Sequence, residues 1–478
     1  MLTPVPIRCQ RRLYLALLGV CLGAALTLRA NDSSLEQKAD DLLNSLVKSN
    51  NTGVAVLVAQ NGKIVFEKGY GLEDRENKVP VSTETKFRIG SITKQFTAAA
   101  ILKLQEQGKL SVDHKLSKYI PDFPRGEEVK LHHLLTHTSG IHSYTDKPDF
   151  MSRVTNAVTT EEIVKSIKED SYDFDPGEKW HYNNSGYMVL GYIVEKVSGQ
   201  SYGDFLRKTF FQPLGMTNTG IHRPNAALTH EALGYSFEKN KMVRAVNWDM
   251  GWAGGAGAIY STVEDLYRWN EGVFNGKVLS EASRKAAFTP VETRQGESAT
   301  PSYGYGLAIL KFRGLPEISH NGGLNGFTSS LIRFTKEHVT VVVLANCVPP
   351  HPKLGDSRRV AQELATIYLS DKLSPLPVAN TNVSPNAFDG LVGRYDYGPP
   401  GVLTVTRDGA HLFAQMAGER KHEIFPLSET EFFWKVVEAR VTFEKDANGK
   451  VTKAVHRQND RTINAPRLPE STAKKSEQ

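Results

Sequence analysis

Ser91 and Lys94 stand three residues apart in Gly90-Ser91-Ile92-Thr93-Lys94-Gln95-Phe96. A serine hydroxyl is a weak nucleophile until a base takes its proton, and a lysine with a lowered pKa can be that base. Residues i and i+3 share one face of an α-helix, so the pair meets if it opens a helix. Apolar Ile92, Phe96, Ala99, Ala100 and Leu104 keep near-helical spacing up to Gly108, which predicts a helix over about 91–107. The unpaired N–H groups and positive dipole end of such a helix would favour an alkoxide on Ser91 and disfavour protonation of Lys94. The pattern alone decides nothing, because Ser45/Lys48, Ser236/Lys239 and Ser471/Lys474 repeat it.

A second candidate is Tyr182-Asn183-Asn184, within Trp180-His181-Tyr182-Asn183-Asn184-Ser185-Gly186-Tyr187. A tyrosine near cations loses its proton well below its usual pKa of about 10 and can then act as general base. Asn184 offers a substrate amide both a donor and an acceptor. By themselves the same residues also read as a buried tyrosine before a helix N-cap at Asn184 or Ser185. The third candidate is Ser319-His320-Asn321-Gly322-Gly323, followed by Leu324-Asn325-Gly326-Phe327. Glycine there lets a substrate backbone lie against a strand edge. The N–H of Gly323, with that of Ser91, would stabilise an oxyanion. Read without the other motifs, this stretch is equally a polar turn between two strands.

Taken in order and spacing, the three motifs resemble the serine β-lactamase and penicillin-binding superfamily. The likeness is to the branch with Tyr-x-Asn second, which holds class C β-lactamases, related DD-peptidases and carboxylesterases. Leu134-Leu135-Thr136-His137-Thr138-Ser139-Gly140 and Ala253-Gly254-Gly255-Ala256-Gly257 are typical of it, and the resemblance covers about 35–370. It implies Ser91 as nucleophile, with Lys94 and Tyr182 sharing the proton work. It implies that Asn184 contacts the substrate amide and that His320, Gly322 and Gly323 line the third motif. The implied reaction is acyl transfer through an ester on Ser91, with water as second nucleophile and neither cofactor nor metal. His320 stands where many β-lactamases carry lysine, and Lys-Thr-Gly occurs nowhere. A histidine is mostly neutral near pH 7, so His320 is expected to face the part of the substrate where a carboxylate sits and to offer it one hydrogen bond and little charge. Esters and D-amino-acid peptides therefore fit at least as well as β-lactams. A true class C-type β-lactamase or DD-peptidase is the alternative, and a non-hydrolysing binding or scaffold protein is the alternative of another class. His132, His133, His137 and His142 lie close together, but no His-Glu-x-x-His occurs, and the resemblance makes the matching histidine structural.

The elements that must hold these residues read as α+β. An amphipathic helix is expected over 31–50, then a hairpin of 54–58 and 64–66 about Asn61-Gly62. Helical pieces and loops fill 125–235, and a helix is expected from Val263. Strands are expected over 305–312, 327–334 and 339–344, the last apolar enough to be central, and then a helix over 358–369. Strands at both ends of this segment predict one β-lactamase-like sheet flanked by helices, with an inserted helical region covering one side and a cleft at the seam. Residues 31–372 form this hydrolase domain. A Pro-rich linker is expected over 373–386, a small C-terminal antiparallel β-barrel over 387–466, and a disordered tail over 467–478. Its expected strands are 402–406, 412–415, 432–437, 440–444 and 451–457.

Residues 1–30 read as a signal peptide. Arg8, Arg11 and Arg12 precede an apolar run of roughly 16 residues, shorter than the roughly 20 of a membrane span. Export to the periplasm or beyond is the expectation, with an uncleaved leader as membrane anchor the alternative. Four arginines of this leader account for most of the net charge of +6. The body is thus nearly neutral and carries no dense basic run, so nucleic acid is not an expected partner. The expected partner is a small-molecule or peptide substrate such as a cell-wall peptide, with peripheral membrane association if the leader stays. Cys9 and Cys21 fall in the leader, and Cys347 after an apolar run reads as core.

Overall fold

The structure, a computed structural model, describes residues 34–469 apart from 224–226, 240, 295–301, 349–355, 399–400, 418–420, 436 and 459–460. The expected leader and the tail beyond 469 lie outside the described residues. Among those described, no helix is long and apolar enough to cross a membrane.

Helix α1 occupies 34–46. Strands β1 (Val54–Gln60) and β2 (Lys63–Tyr70) form the expected hairpin, with Asn61 and Gly62 at φ 51° and 78°. Two left-handed residues in a two-residue loop match the twist of the flanking strands. Then come helices α2 (Thr93–Glu106), α3 (Asn184–Ser198) and α4 (Val263–Phe274). Strands β3 (Ala308–Phe312), β4 (Leu315–Leu324), β5 (Phe327–Phe334) and β6 (Val339–Ala345) follow, and helix α5 (Ser357–Tyr368) ends the domain. The six strands make one antiparallel sheet in the order β3-β4-β5-β6-β1-β2. The two ends of the domain therefore meet at β6–β1, where Val56 faces Val343.

Successive side chains of a strand point to opposite faces, and here both faces are covered. Val54, Val56 and Val58 pack with Ala39 and Leu43 of α1 and Leu364 of α5. Ala55, Leu57 and Ala59 pack with Phe96 of α2 and Leu266 of α4, in the larger core that also holds the helical insertion. Double coverage explains why β6 is buried at every position.

Two strand expectations are corrected. The strand expected from 305 begins at Ala308, because Gly306 has φ 73° and packs so closely on α2 that a Cβ there would lie 2.5 Å from the Lys94 carbonyl oxygen. The third motif is not a turn. Residues 320–324 are the last part of β4, and the turn is Asn325-Gly326. Strand β3 pairs β4 only as far as Ser319, opposite Ala308, so among the described residues 320–324 keep one unpaired edge.

Beyond Pro375 and Pro377 the turn Pro385–Leu391 tucks Phe388 and Leu391 into a separate core. Strands β7 (Gly393–Asp396), β8 (Val402–Asp408), β9 (His411–Met416), β10 (His422–Pro426), β11 (Glu431–Trp434), β12 (Ala439–Lys445), β13 (Val451–Gln458) and β14 (Arg461–Pro466) pair in chain order, all antiparallel. The Leu468 N–H donates to the Arg394 carbonyl at 2.8 Å, which nearly closes a barrel. Strands β7, β10 and β14 were not expected. They are short and carry Gly, Pro, Asn or His, which blunts their alternation.

Candidate active site

Strand residues Phe87–Arg88 lead into a 3-10 turn, Gly90–Ile92, that opens α2 and holds Ser91. Gly90 is left-handed (φ 51°), and a Cβ on it would lie 2.8 Å from the Gly323 carbonyl oxygen. A Cβ on Gly322 would collide with the Ile89 carbonyl. Glycine at both positions therefore lets the nucleophile turn lie against β4 at its unpaired edge. Ser329 Oγ on β5 clamps the same turn by donating to the Ile89 carbonyl at 2.7 Å. Gly323, by contrast, faces open space.

Lys94, the second residue of α2, is wholly buried. Its Nζ lies 3.2 Å from Ser91 Oγ, 2.8 Å from Asn184 Oδ1 and 3.0 Å from the Ala256 carbonyl oxygen. None of these three neighbours is a carboxylate. Burial holds the amine well below its usual range, and this desolvation is the cause, in place of the helix dipole expected from the sequence. As a neutral amine its two N–H groups suit Asn184 Oδ1 and the Ala256 carbonyl. The lone pair is left for the Ser91 hydroxyl proton. The short helix Gly254–Gly257 within the Gly-rich stretch supplies that carbonyl.

Tyr182 precedes the N-cap of α3, where the Asn183 side chain accepts the Gly186 N–H at 2.7 Å. Its ring lies 4.8 Å from Lys94 Nζ and 4.4 Å from the His137 ring. Burial pushes the phenol above its usual range, and a hydrogen bond with Ser91 offsets this only in part. The expectation of an ionised tyrosine base is thus reversed, since loss of water outweighs the hydrogen bond with Ser91 and the neighbouring lysine is itself held neutral. Asn184 also differs from expectation. Its Oδ1 faces Lys94 and its Nδ2 donates to Thr145 Oγ1 at 3.0 Å, so both ends of the amide are engaged within the protein.

His320 is buried, 7% exposed, with Nδ1 2.6 Å from the Asn321 carbonyl oxygen and Nε2 2.9 Å from the Tyr303 hydroxyl. A carbonyl only accepts, so Nδ1 carries the proton and Nε2 accepts from Tyr303. Burial, reinforced by Lys94, pushes the imidazole down to about 3 and keeps it neutral. The expectation that His320 turns a free nitrogen toward a substrate carboxylate is corrected, because both nitrogens are occupied.

Four residues of the cleft were missed, Ala308 and Leu310 of β3 and two polar ones, Tyr303 and Arg358. Tyr303 packs among His137, Trp180 and His320. Arg358, in the first turn of α5, holds the buried Glu317 carboxylate at 2.8 Å and Ser319 Oγ at 3.1 Å. Neither belongs to a short motif. The only sequence signal was the charged pair Arg358-Arg359 opening a helix, where cations are not favoured by the dipole.

Ser91, Tyr182, Tyr303, His320, Gly323 and Arg358 line one cleft of about 460 Å³. Lys94 and Asn184 lie behind Ser91, and the other histidines have partners of their own, although the His132 and His133 rings meet edge to face at 5.9 Å. His132 pairs with Tyr305, His142 with Asp173, and His137 accepts the Asn183 N–H. Among the described residues no group of His, Cys, Asp and Glu could hold a metal ion. The arrangement can move a proton from a serine to a buried neutral amine and pass it on through a neutral phenol.

The Beta-lactamase family model matches residues 36–366, and a model described as a domain of unknown function (DUF3471) matches 379–466. Penicillin-binding protein 4* of Bacillus subtilis is 28% identical over 431 residues, covering 84% of this chain and 92% of its own. The solved octameric penicillin-binding protein homologue of Pyrococcus abyssi is 26% identical with a TM-score of 0.63, covering 91% of this chain and 99% of its own. The penicillin binding protein of Bacillus halodurans is 29% identical with a TM-score of 0.56, covering 61% of this chain and 90% of its own. The match over 36–366 takes in every residue of the cleft, so the chain belongs to the Beta-lactamase family and is a serine hydrolase of that fold.

Proposed function

We propose that this protein is an exported hydrolase that acts through an acyl-enzyme on Ser91, with D-amino-acid peptides, including cell-wall peptides, and related esters as substrates. The observation that carries the reading is Lys94, buried without a carboxylate partner and 3.2 Å from Ser91 Oγ. Ser91 Oγ attacks the substrate carbonyl carbon while its proton passes to Lys94 Nζ. The carbonyl π bond opens to an oxyanion, which the N–H groups of Ser91 and Gly323 receive. The intermediate collapses, the bond to the leaving nitrogen or oxygen breaks, and Tyr182 hands that atom a proton that Lys94 replaces. Water then repeats the attack on the ester, with Lys94 and Tyr182 again as the proton relay.

Penicillin-binding relatives support a peptide-type substrate. The unpaired edge at 320–324 suits an extended backbone, which would add as a short strand. His320 is neutral and occupied, so a substrate carboxylate would meet the Arg358 guanidinium. That cation is already shared with Glu317, which argues for weak selection of carboxylates and against efficient β-lactam hydrolysis. The leader motivates export, and its retention would tether the enzyme at a membrane.

Intact mass after incubation with penicillins, activated esters and D-Ala-D-Ala peptides tests the reading. One acyl adduct is expected on the wild type and none on Ser91→Ala. An adduct that survives in Ser91→Ala, or absence of any adduct and any turnover across the panel, would refute it.

A further inference from the structure

A second cavity, of about 110 Å³, opens beside the Asn325-Gly326 turn that ends β4. Arg88, three residues before Ser91, lines it with a side chain only 7% exposed. A guanidinium carries five N–H donors in a rigid fork. Asn247 Oδ1 accepts from Arg88 Nη2 at 2.7 Å, and His222 Nε2 lies 3.1 Å from the same Nη2, accepting from it only in the tautomer that leaves Nε2 without a proton. Nε is buried without a partner, and neither of these bonds involves Nη1.

The carboxylate of Glu231 does not complete the fork. It lies 3.6 Å from Nη2, beyond hydrogen-bond reach, and its Oε1 is 2.9 Å from His222 Nε2. A second guanidinium, the half-exposed Arg244, lines the same cavity and meets Glu76 only at 3.6 Å. Two guanidinium groups thus share this cavity with one lining carboxylate. The Phe327 ring lies 5.7 Å from the Arg88 guanidinium and shields it from water. Asn247 and the Glu231 charge pair serve Nη2 alone, so the buried Nε–H stays without an acceptor among the described residues; such a donor is costly, and planar forks of this kind are built for oxyanions.

We propose that this cavity is an oxyanion pocket in which Arg88, with Arg244 beside it, takes one carboxylate- or phosphate-type group. The volume suits a single such group. The oxyanion has two sources. One is an acid on the acyl side of the substrate, reaching past Gly323 along β4; the two residues to Asn325 span roughly 7 Å. The other is a free inorganic anion. The first source rests on the acyl-enzyme reading, whereas the second does not.

The test uses the full chain and has two arms. Calorimetric titration with inorganic phosphate should give saturable binding, weakened roughly tenfold in Arg244→Gln by the loss of one charge-assisted contact. Arg88→Gln should abolish it, and if that variant does not fold, the exposed Arg244→Gln decides. The second arm compares D-peptide donors that differ only in an acid or its amide on the acyl side. A preference for the acid in kcat/KM, lost in Arg244→Gln while the neutral donor is turned over as before, supports the pocket and assigns it to substrate. Phosphate binding without that preference supports the pocket and assigns it to a free anion. No saturable phosphate binding together with no acid preference, or equal phosphate affinity in wild type and Arg244→Gln, would overturn the proposal. Failure of every donor to acylate Ser91 would sink the acyl-enzyme reading alone and leave the phosphate arm to decide the pocket.

Discussion

The two large sheets handle their edges in opposite ways. The eight-stranded sheet curls until β7 and β14 nearly meet, leaving little unpaired backbone. The six-stranded sheet is covered on both faces yet stops β3 short and, among the described residues, leaves 320–324 paired to β5 alone, with one edge open beside Ser91. An unpaired edge is a liability in most proteins because it templates association. Besides the outer edges of β3 and β2, it includes five residues of β4 at the place where the nucleophile turn is pressed against the sheet. The contrast teaches that the chemistry resides in the edge that the fold declines to close.

Removing the reactive pair should break the contrast most severely. Ser91→Ala and Lys94→Ala should each lower kcat/KM by about four to six orders of magnitude, and the double variant little further, because a relay acts as a unit. Steady-state kinetics on an ester substrate checks this. Activity should fall as pH drops through the lowered pKa of Lys94, which must be neutral to act. Linkage gives a companion signature. The unfolded chain holds the lysine proton up to about the ordinary lysine value of 10.5, while the folded chain releases it at lower pH. The unfolded state therefore binds more protons in that window, and stability rises with pH across it. Denaturant midpoints should show this rise in the wild type and a flatter profile in Lys94→Met; equal profiles would mean that Lys94 titrates normally.

Next in size is the fit of turn against edge. Gly322→Ala should force the Ile89 carbonyl away from β4 and cost about two orders of magnitude in rate, with about 2 kcal/mol of stability. Gly323→Ala adds a methyl facing open space and should keep the fold intact. Similar melting temperatures for the two variants would contradict the described packing.

A smaller effect is expected at Arg358. The variant Arg358→Gln alone would strand the buried Glu317, so the paired change Glu317→Gln with Arg358→Gln is the cleaner probe. It should lower the kcat/KM of carboxylate-bearing donors relative to matched neutral esters by about threefold to tenfold. An unchanged ratio would remove Arg358 from substrate recognition.

The smallest effect should come from the barrel. Its core shares no residue with the two cores of the hydrolase domain. Deleting 379–478 should leave acylation of Ser91 within about twofold, measured by burst titration with an activated ester, since the site and its supporting shell lie elsewhere. A truncated chain that is unfolded at room temperature would show instead that both sheets belong to one cooperative unit.

Local patterns carried much of this architecture. Ser91 and Lys94 were legible because their spacing fits one helix face and because the two later motifs, in order and distance, single them out from three other pairs of the same spacing. The Asn61-Gly62 hairpin and the central strand β6 were legible for similar local reasons. What depends on solvent exclusion was not. Tyr182 was expected to ionise and instead is held neutral, and His320 was expected to face substrate and instead is buried with both nitrogens engaged. Residues brought in from remote elements, Tyr303 and Arg358, carry no spacing signal. The start of β3 was misplaced because the packing of Gly306 on α2 is a tertiary fact.

That glycine has a consequence for how such a site can diversify. Gly306 seats against the Lys94 carbonyl, and the left-handed bend it allows comes just before β3 begins. The mouth of the cleft and the footing of its base therefore turn on one joint. A mutation that lengthened β3 along β4 to reshape the mouth would lift the chain off α2 and unsettle the lysine with it. New substrate ranges are thus easier to reach by exchanging side chains that hang around the joint, such as Tyr303 or Ala308, than by redrawing the backbone. The fold keeps its reaction fixed and leaves its appetite adjustable.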